Sequence, residues 1–127
     1  LEFRRVLFRS EKLPVNVIGC PILREPNGLA MSSRNERLTE AERKEAAIIY
    51  KILLESRKLF AKKSATKVSQ WVQKSFAKHP AFALEYFQIA DESTLLPCTR
   101  KSQNKKYRAF IAVFVNNVRL IDTISLN

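Results

Sequence analysis

Apolar residues recur at helical spacing through the first half of the chain. Thr39 and Glu42 have the spacing of a capping box, which predicts a helix start beside them. The apolar positions that follow keep a period near 3.6, so the helix is expected to run to about residue 62. A second helix is predicted from Ser64 or Thr66. It should end before Pro80, because a residue that precedes proline disfavours helical backbone.

The second half of the chain carries shorter apolar runs, rich in β-branched and aromatic side chains. These runs predict strands over residues 84–90, 107–115 and 118–124. Residues 91–95 are expected to form a helical turn. Asn116 and Asn117 suit a hairpin turn, since asparagine tolerates positive φ. Residues 36–127 are therefore predicted to be α+β, with two helices followed by a small, mainly antiparallel sheet.

The beginning of the chain does not follow these periods. Residues 1–10, LEFRRVLFRS, mix arginine with apolar residues, and Leu1 is not a start methionine. We interpret this segment as foreign, derived from a vector, a linker or sequence assembly, and exclude it from fold prediction. Residues 15–20, closed by Gly19 and Pro21, predict a buried strand of a parallel sheet whose other strands do not lie upstream in this chain.

The net charge of +11 and a pI near 10.1 are compatible with nucleic acid, an anionic membrane or phosphorylated ligands as partners. Residues 51–78 hold eight basic residues against Glu55 alone, spread around the predicted helices. This spread favours a solvated basic surface, and a small basic nucleic-acid-binding module is the alternative. No apolar run reaches the roughly 18 residues of a membrane span. One histidine and two scattered cysteines do not make a zinc site.

Side chains that can donate hydrogen bonds or carry positive charge to a ligand are concentrated in residues 28–35, GLAMSSRN. Ser32 and Ser33 can donate to phosphate oxygens, and Arg34 can bind two of them at once. Gly28 permits a tight turn, and Met31 can lie against a flat apolar face such as a purine. By composition alone, the same run is more typical of a polar turn before a helix.

The longer string around this loop is more specific. Residues 21–35 have the pattern P-x-x-R-E-x-x-G-L-A-x-S-S-R-N, followed three residues later by Thr39. This string resembles the corresponding stretch of the pantothenate synthetases, the pantoate–β-alanine ligases. Residues 87–89 and 118–122 resemble that family's C-terminal domain, so the resemblance runs from about residue 15 to the C-terminus.

The resemblance implies a cytoplasmic, homodimeric ligase that joins (R)-pantoate to β-alanine through a pantoyl-adenylate, with ATP and Mg²⁺. It also implies a Rossmann-like nucleotidyltransferase domain followed by a lid-like C-terminal domain. Residues 11–35 would be the end of the first domain, with its last strand and its ATP-phosphate loop. Residues 36–127 would be the lid. Neither a membrane nor a nucleic acid is an expected partner of such an enzyme.

The resemblance assigns roles to five residues. Ser32, Ser33 and Arg34 would contact the ATP phosphates and stabilise the leaving pyrophosphate, while Met31 and the backbone of Leu23 would lie near the adenosine. It assigns no metal ligand to this chain. The family's HxGH-type signature has no match here, since His79 is the only histidine. The pantoate-binding residues also belong to the absent part, so the chain alone is expected to be inactive.

Overall fold

Helices precede strands in the part of the chain that the computed structural model describes, residues 7–127. A 3-10 helix, Ser33–Arg37, is followed by α1 (Glu40–Glu45), α2 (Ala47–Phe60), α3 (Ala65–Ala77), β1 (Phe82–Asp91), β2 (Tyr107–Val115) and β3 (Val118–Ser125). The predicted α+β class is confirmed. The interpretation of residues 1–10 as foreign falls largely on residues 1–6, which lie outside the described residues.

The capping box forms as predicted. The Glu42 N–H donates to Thr39 Oγ1 at 3.2 Å, and the Thr39 N–H donates to Glu42 Oε2 at 2.9 Å. The single helix predicted from this point is divided into α1 and α2 at Ala46. There the hydrogen bonding tightens, with the Ile49 N–H donating to the Ala46 carbonyl three residues back. α3 begins after Ser64, as predicted, and the Ser64 hydroxyl accepts from the Lys67 N–H.

The strands form an antiparallel sheet in the order β1-β2-β3. Asn116 has φ of 52° in the turn between β2 and β3, which confirms the predicted hairpin. The Leu95 N–H donates to the Asp91 carbonyl at 2.8 Å, so the helical turn after β1 is also present. One face of the sheet packs on α2 and α3. The core there includes Leu53, Val68, Val72, Ala109 and Val113, each with 0% of its surface exposed.

The buried strand predicted at residues 15–20 is wrong. These residues have no regular secondary structure, and Val15 and Ile18 are 54% and 72% exposed. β-branched residues favour a strand only where a neighbouring strand offers backbone partners and a surface to pack on. The sheet within residues 7–127 consists of β1, β2 and β3, and residues 15–20 are not part of it. No helix in that range is long and apolar enough to cross a membrane.

Candidate functional site

The loop before α1 folds as a tight hairpin over residues 23–31. The Met31 N–H donates to the Leu23 carbonyl at 2.9 Å, and the Glu25 N–H donates to the Leu29 carbonyl at 2.8 Å. Gly28 closes the turn with φ of +94°, and a Cβ on it would lie 2.4 Å from Tyr50 Cδ1. The hairpin therefore places Leu23 beside Met31, the two residues assigned to adenosine, and both side chains are largely exposed.

Arg24 fastens one arm of this hairpin to the sheet. Its guanidinium pairs with the Asp122 carboxylate of β3 at 2.6 and 2.9 Å, and it also donates to the Gly28 carbonyl at 3.0 Å. The guanidinium carbon lies 3.9 Å from the centre of the Tyr50 ring of α2. Charge, hydrogen bonds and ring stacking thus fix the hairpin to two other elements.

A second ion pair fastens the same arm to α1. Arg43 donates to both oxygens of Glu25, with the shortest contact at 2.8 Å from Nη2 to Oε1. The Asn35 amide donates to Glu25 Oε1 at 3.2 Å. The hydrogen bonds from Arg43, and then that from Asn35, lower the pKa of Glu25 although its burial opposes them, and the same pair raises the pKa of Arg43.

The three residues assigned to phosphate follow directly and face solvent. Ser32 is the N-cap of the 3-10 helix, and its hydroxyl accepts from the Arg34 N–H at 3.2 Å. Ser32, Ser33 and Arg34 are all exposed. Within residues 7–127, the Arg34 guanidinium makes no ion pair or side-chain hydrogen bond. The hairpin is thus anchored to β3 and α1, while the Arg34 guanidinium that follows it is available to an anion.

A cavity of about 180 Å³ lies between this loop and β3. Met31, Ser32 and Arg34 line it from the loop, and Arg119 and Ile121 line it from the strand. Ser33 and Leu23 are not among its lining residues. The Arg119 Nε donates to Glu85 Oε2 at 2.6 Å, and this hydrogen bond raises the pKa of Arg119. The cavity is therefore lined by two arginines, of which Arg119 is already paired.

From the sequence, Arg119 and Asp122 could pair either with each other or with another domain. In the structure Arg119 pairs with Glu85 and Asp122 pairs with Arg24. Sequence reasoning also assigned no role to Arg24, Glu25 and Asn35. One feature of the sequence could have indicated these three residues. They are two charged residues and an amide within the string of residues 21–35, in a loop that has no helical or strand period.

Other conspicuous residues have structural roles. The His79 ring lies edge-on to Phe82, with ring centres 6.5 Å apart, and Trp71 packs against the core. Lys101 donates to the Phe60 carbonyl at the end of α2. Asp91 accepts from the Ser93 hydroxyl and N–H at 2.7 and 2.8 Å. These hydrogen bonds lower the pKa of Asp91 to about 2.

Comparison with known proteins gives one consistent result. The family model of pantoate–β-alanine ligases matches residues 3–125. The pantothenate synthetase of Flavobacterium psychrophilum is 61% identical over 126 residues, which are 99% of this chain and 45% of that protein. The chain thus spans less than half the length of this relative. The family match includes residues 3–10, so it lends no support to the interpretation of that segment as foreign.

Comparison with solved structures points to the same family as the sequence comparison. The pantothenate synthetase of Thermus thermophilus superimposes with a TM-score of 0.82 at 32% identity, covering 96% of this chain and 44% of that one. The pantoate–β-alanine ligase of Francisella tularensis, solved with β-γ ATP and β-alanine, gives a TM-score of 0.57 at 25% identity, covering 97% and 38%. Nothing in these comparisons supports a nucleic-acid-binding module. This chain belongs to the pantoate–β-alanine ligase family.

Proposed function

We propose that this chain is the C-terminal part of a pantoate–β-alanine ligase and forms one wall of its ATP site. In the full enzyme, ATP and pantoate would give a pantoyl-adenylate and pyrophosphate. The β-alanine amine would then displace AMP to give pantothenate. Residues 11–35 would end the nucleotidyltransferase domain, and residues 36–127 would form the lid.

One observation carries the assignment of the phosphate contacts. Arg34 is exposed and has no ion-pair partner within residues 7–127, yet it lies in the 3-10 helix that directly follows a hairpin held by the Arg24–Asp122 and Glu25–Arg43 pairs. Donors that are fixed before the reaction stabilise developing charge without a cost of reorganisation. Arg34 would therefore stabilise charge on the leaving pyrophosphate, with Ser32 and Ser33 as additional donors.

The same hairpin carries Leu23 and Met31, the two proposed contacts to the adenosine of ATP. Met31 is 50% exposed and borders the cavity that Ser32 and Arg34 share. A thioether in this position suits contact with a purine face, and the neighbouring Leu23 backbone is available from the other arm. The relative from Francisella tularensis, solved with β-γ ATP and β-alanine, supports a nucleotide as the ligand of this family.

Magnesium, dimerisation and a cytoplasmic location are also proposals, which rest on the family resemblance. The described part of the chain contains no group of three His, Cys, Asp or Glu residues that fits a metal ion.

Substitution of Arg34 in the full-length parent enzyme tests the proposal. Arg34→Ala is expected to lower pantoate-dependent exchange of pyrophosphate into ATP by about a hundredfold or more, the typical effect of losing one fixed donor to developing charge. Arg37→Ala is the matched control, because Arg37 is an exposed arginine of the same 3-10 helix that does not line the cavity. Normal exchange in Arg34→Ala, or an equal loss in both variants, would refute the assignment.

A further inference from the structure

Asn35 is the buried residue of the SSRN run. Only 1% of its surface is exposed, whereas Ser32, Ser33 and Arg34 before it face solvent. Its amide nitrogen donates to the Ala30 carbonyl at 3.0 Å and to Glu25 Oε1 at 3.2 Å. Two acceptors around one atom identify that atom as the NH₂ group.

These two hydrogen bonds hold together the two ends of the exposed segment 31–34, which carries the proposed phosphate contacts. Ala30 precedes the exposed residues 31–34 and Asn35 follows them, so the bond to the Ala30 carbonyl joins the two ends of that segment. The bond to Glu25 continues through the 2.8 Å ion pair to Arg43 on α1. Asn35 thereby links the exposed residues 31–34 to α1 through Glu25 and Arg43. The start of α1 is in turn stabilised by a capping box.

The remaining polar atom of Asn35 has an unusual environment. Its carbonyl oxygen, Oδ1, is buried and has no hydrogen-bond partner within residues 7–127. An unsatisfied buried acceptor costs free energy, which offsets part of what the two NH₂ hydrogen bonds contribute to stability. Asn35 also borders the cavity that Ser32 and Arg34 line.

We infer that Asn35 is a positioning residue for adenylate formation, which holds Ser32 and Arg34 where the ATP phosphates are bound. This inference rests on the proposed function. It predicts a selective effect, because contacts to the β- and γ-phosphates belong only to the first half-reaction. Formation of the adenylate releases pyrophosphate, whereas the attack of β-alanine on a preformed adenylate releases AMP and does not involve the β- and γ-phosphates.

The test measures the two half-reactions separately in the full-length parent. Asn35→Ala and the shape-matched Asn35→Asp both remove the NH₂ donor. Each is expected to lower pantoate-dependent pyrophosphate–ATP exchange by about tenfold or more, as displaced catalytic groups do. Conversion of added pantoyl-adenylate by β-alanine should stay within about twofold of the unsubstituted enzyme. Thermal unfolding verifies that each variant is folded.

Glu25→Ala removes the other end of the same connection, and it should give the same selective loss. It keeps the inference testable if neither Asn35 variant folds. Ser56→Ala is the matched control, since Ser56 is a fully buried polar residue whose hydroxyl donates within α2, away from the loop. It should leave the ratio of the two half-reactions unchanged.

Parallel loss of both half-reactions in the Asn35 and Glu25 variants would overturn the inference, as would unchanged exchange. Arg34→Ala separates this failure from that of the proposed function. If Arg34→Ala abolishes exchange and the Asn35 and Glu25 variants do not, only the positioning role is wrong. If Arg34→Ala leaves exchange intact, the proposed phosphate site itself is wrong.

Discussion

The guanidinium of Arg24 and the carboxylate of Asp122 form a two-point ion pair between positions that are 98 residues apart in the sequence. The Asp122 side chain is 3% exposed and that of Arg24 is 18% exposed. The pair joins β3 to the hairpin that directly precedes the proposed phosphate contacts. The pairing of distant residues therefore holds the loop in place together with the local hydrogen bonds of the hairpin.

Loss of Asp122 should destabilise the chain strongly. Asp122→Ala leaves the largely buried guanidinium of Arg24 without its counter-charge, which we expect to lower the free energy of unfolding by about 3 kcal/mol. Urea unfolding followed by circular dichroism measures this change. Glu40→Ala is the control, because it breaks the Lys44–Glu40 pair, whose side chains are 77% and 86% exposed. A control loss below about 0.5 kcal/mol is expected, and equal losses in both variants would contradict the prediction.

A side chain at Gly28 should disturb the same anchor. Gly28→Ala places a methyl group 2.4 Å from Tyr50 Cδ1 on a backbone with φ of +94°. We expect a loss of about 3 kcal/mol in unfolding free energy from the contact and the strained backbone together. A double-mutant cycle with Tyr50→Ala separates the two causes. The contact part should vanish in the Tyr50→Ala background, and an unchanged cost there would show that the ring is not the obstacle.

Asp91 should make folding sensitive to acid. Hydrogen bonds from Ser93 lower the pKa of Asp91 from 3.8 to about 2 in the folded chain. Because the folded pKa is the lower one, this contribution is present above about pH 4 and is lost as the pH falls towards 2. The unfolding free energy of Asp91→Asn should therefore depend less on pH in this window. NMR titration of Ser93→Ala should show a raised pKa of Asp91, and an unmoved pKa would contradict the assigned cause.

The chain by itself should not make pantothenate. It spans 45% of the relative from Flavobacterium psychrophilum, and the resemblance places the HxGH-type signature and the pantoate pocket outside the matched part. The purified chain is expected to release no AMP above background when supplied with ATP, Mg²⁺, pantoate and β-alanine. The full-length parent serves as the positive control. AMP release by the chain that depends on both ATP and pantoate would disprove the expectation.

Local signals predicted the elements of residues 36–127 well. The capping box of Thr39 and Glu42, the cap at Ser64 and the turn at Asn116 depend on residues a few positions apart, so the sequence carries them directly. The break at Ala46 was not predictable, because alanine is a strong helix former and the tighter hydrogen bonding there has no local marker. The strand predicted at residues 15–20 failed because a strand requires partners that composition does not reveal.

The sequence by itself determined the family, because the string of residues 21–35 is specific enough to be recognised without coordinates. The same string also indicated Ser32, Ser33 and Arg34 as the candidate phosphate contacts. Only the tertiary structure decided what holds that loop. The partners of Arg24 and Asn35, and the burial of Asn35, depend on how the hairpin, α1 and β3 meet. Contacts between residues far apart in the chain arise from the packing of whole elements, which spacing along the sequence does not encode.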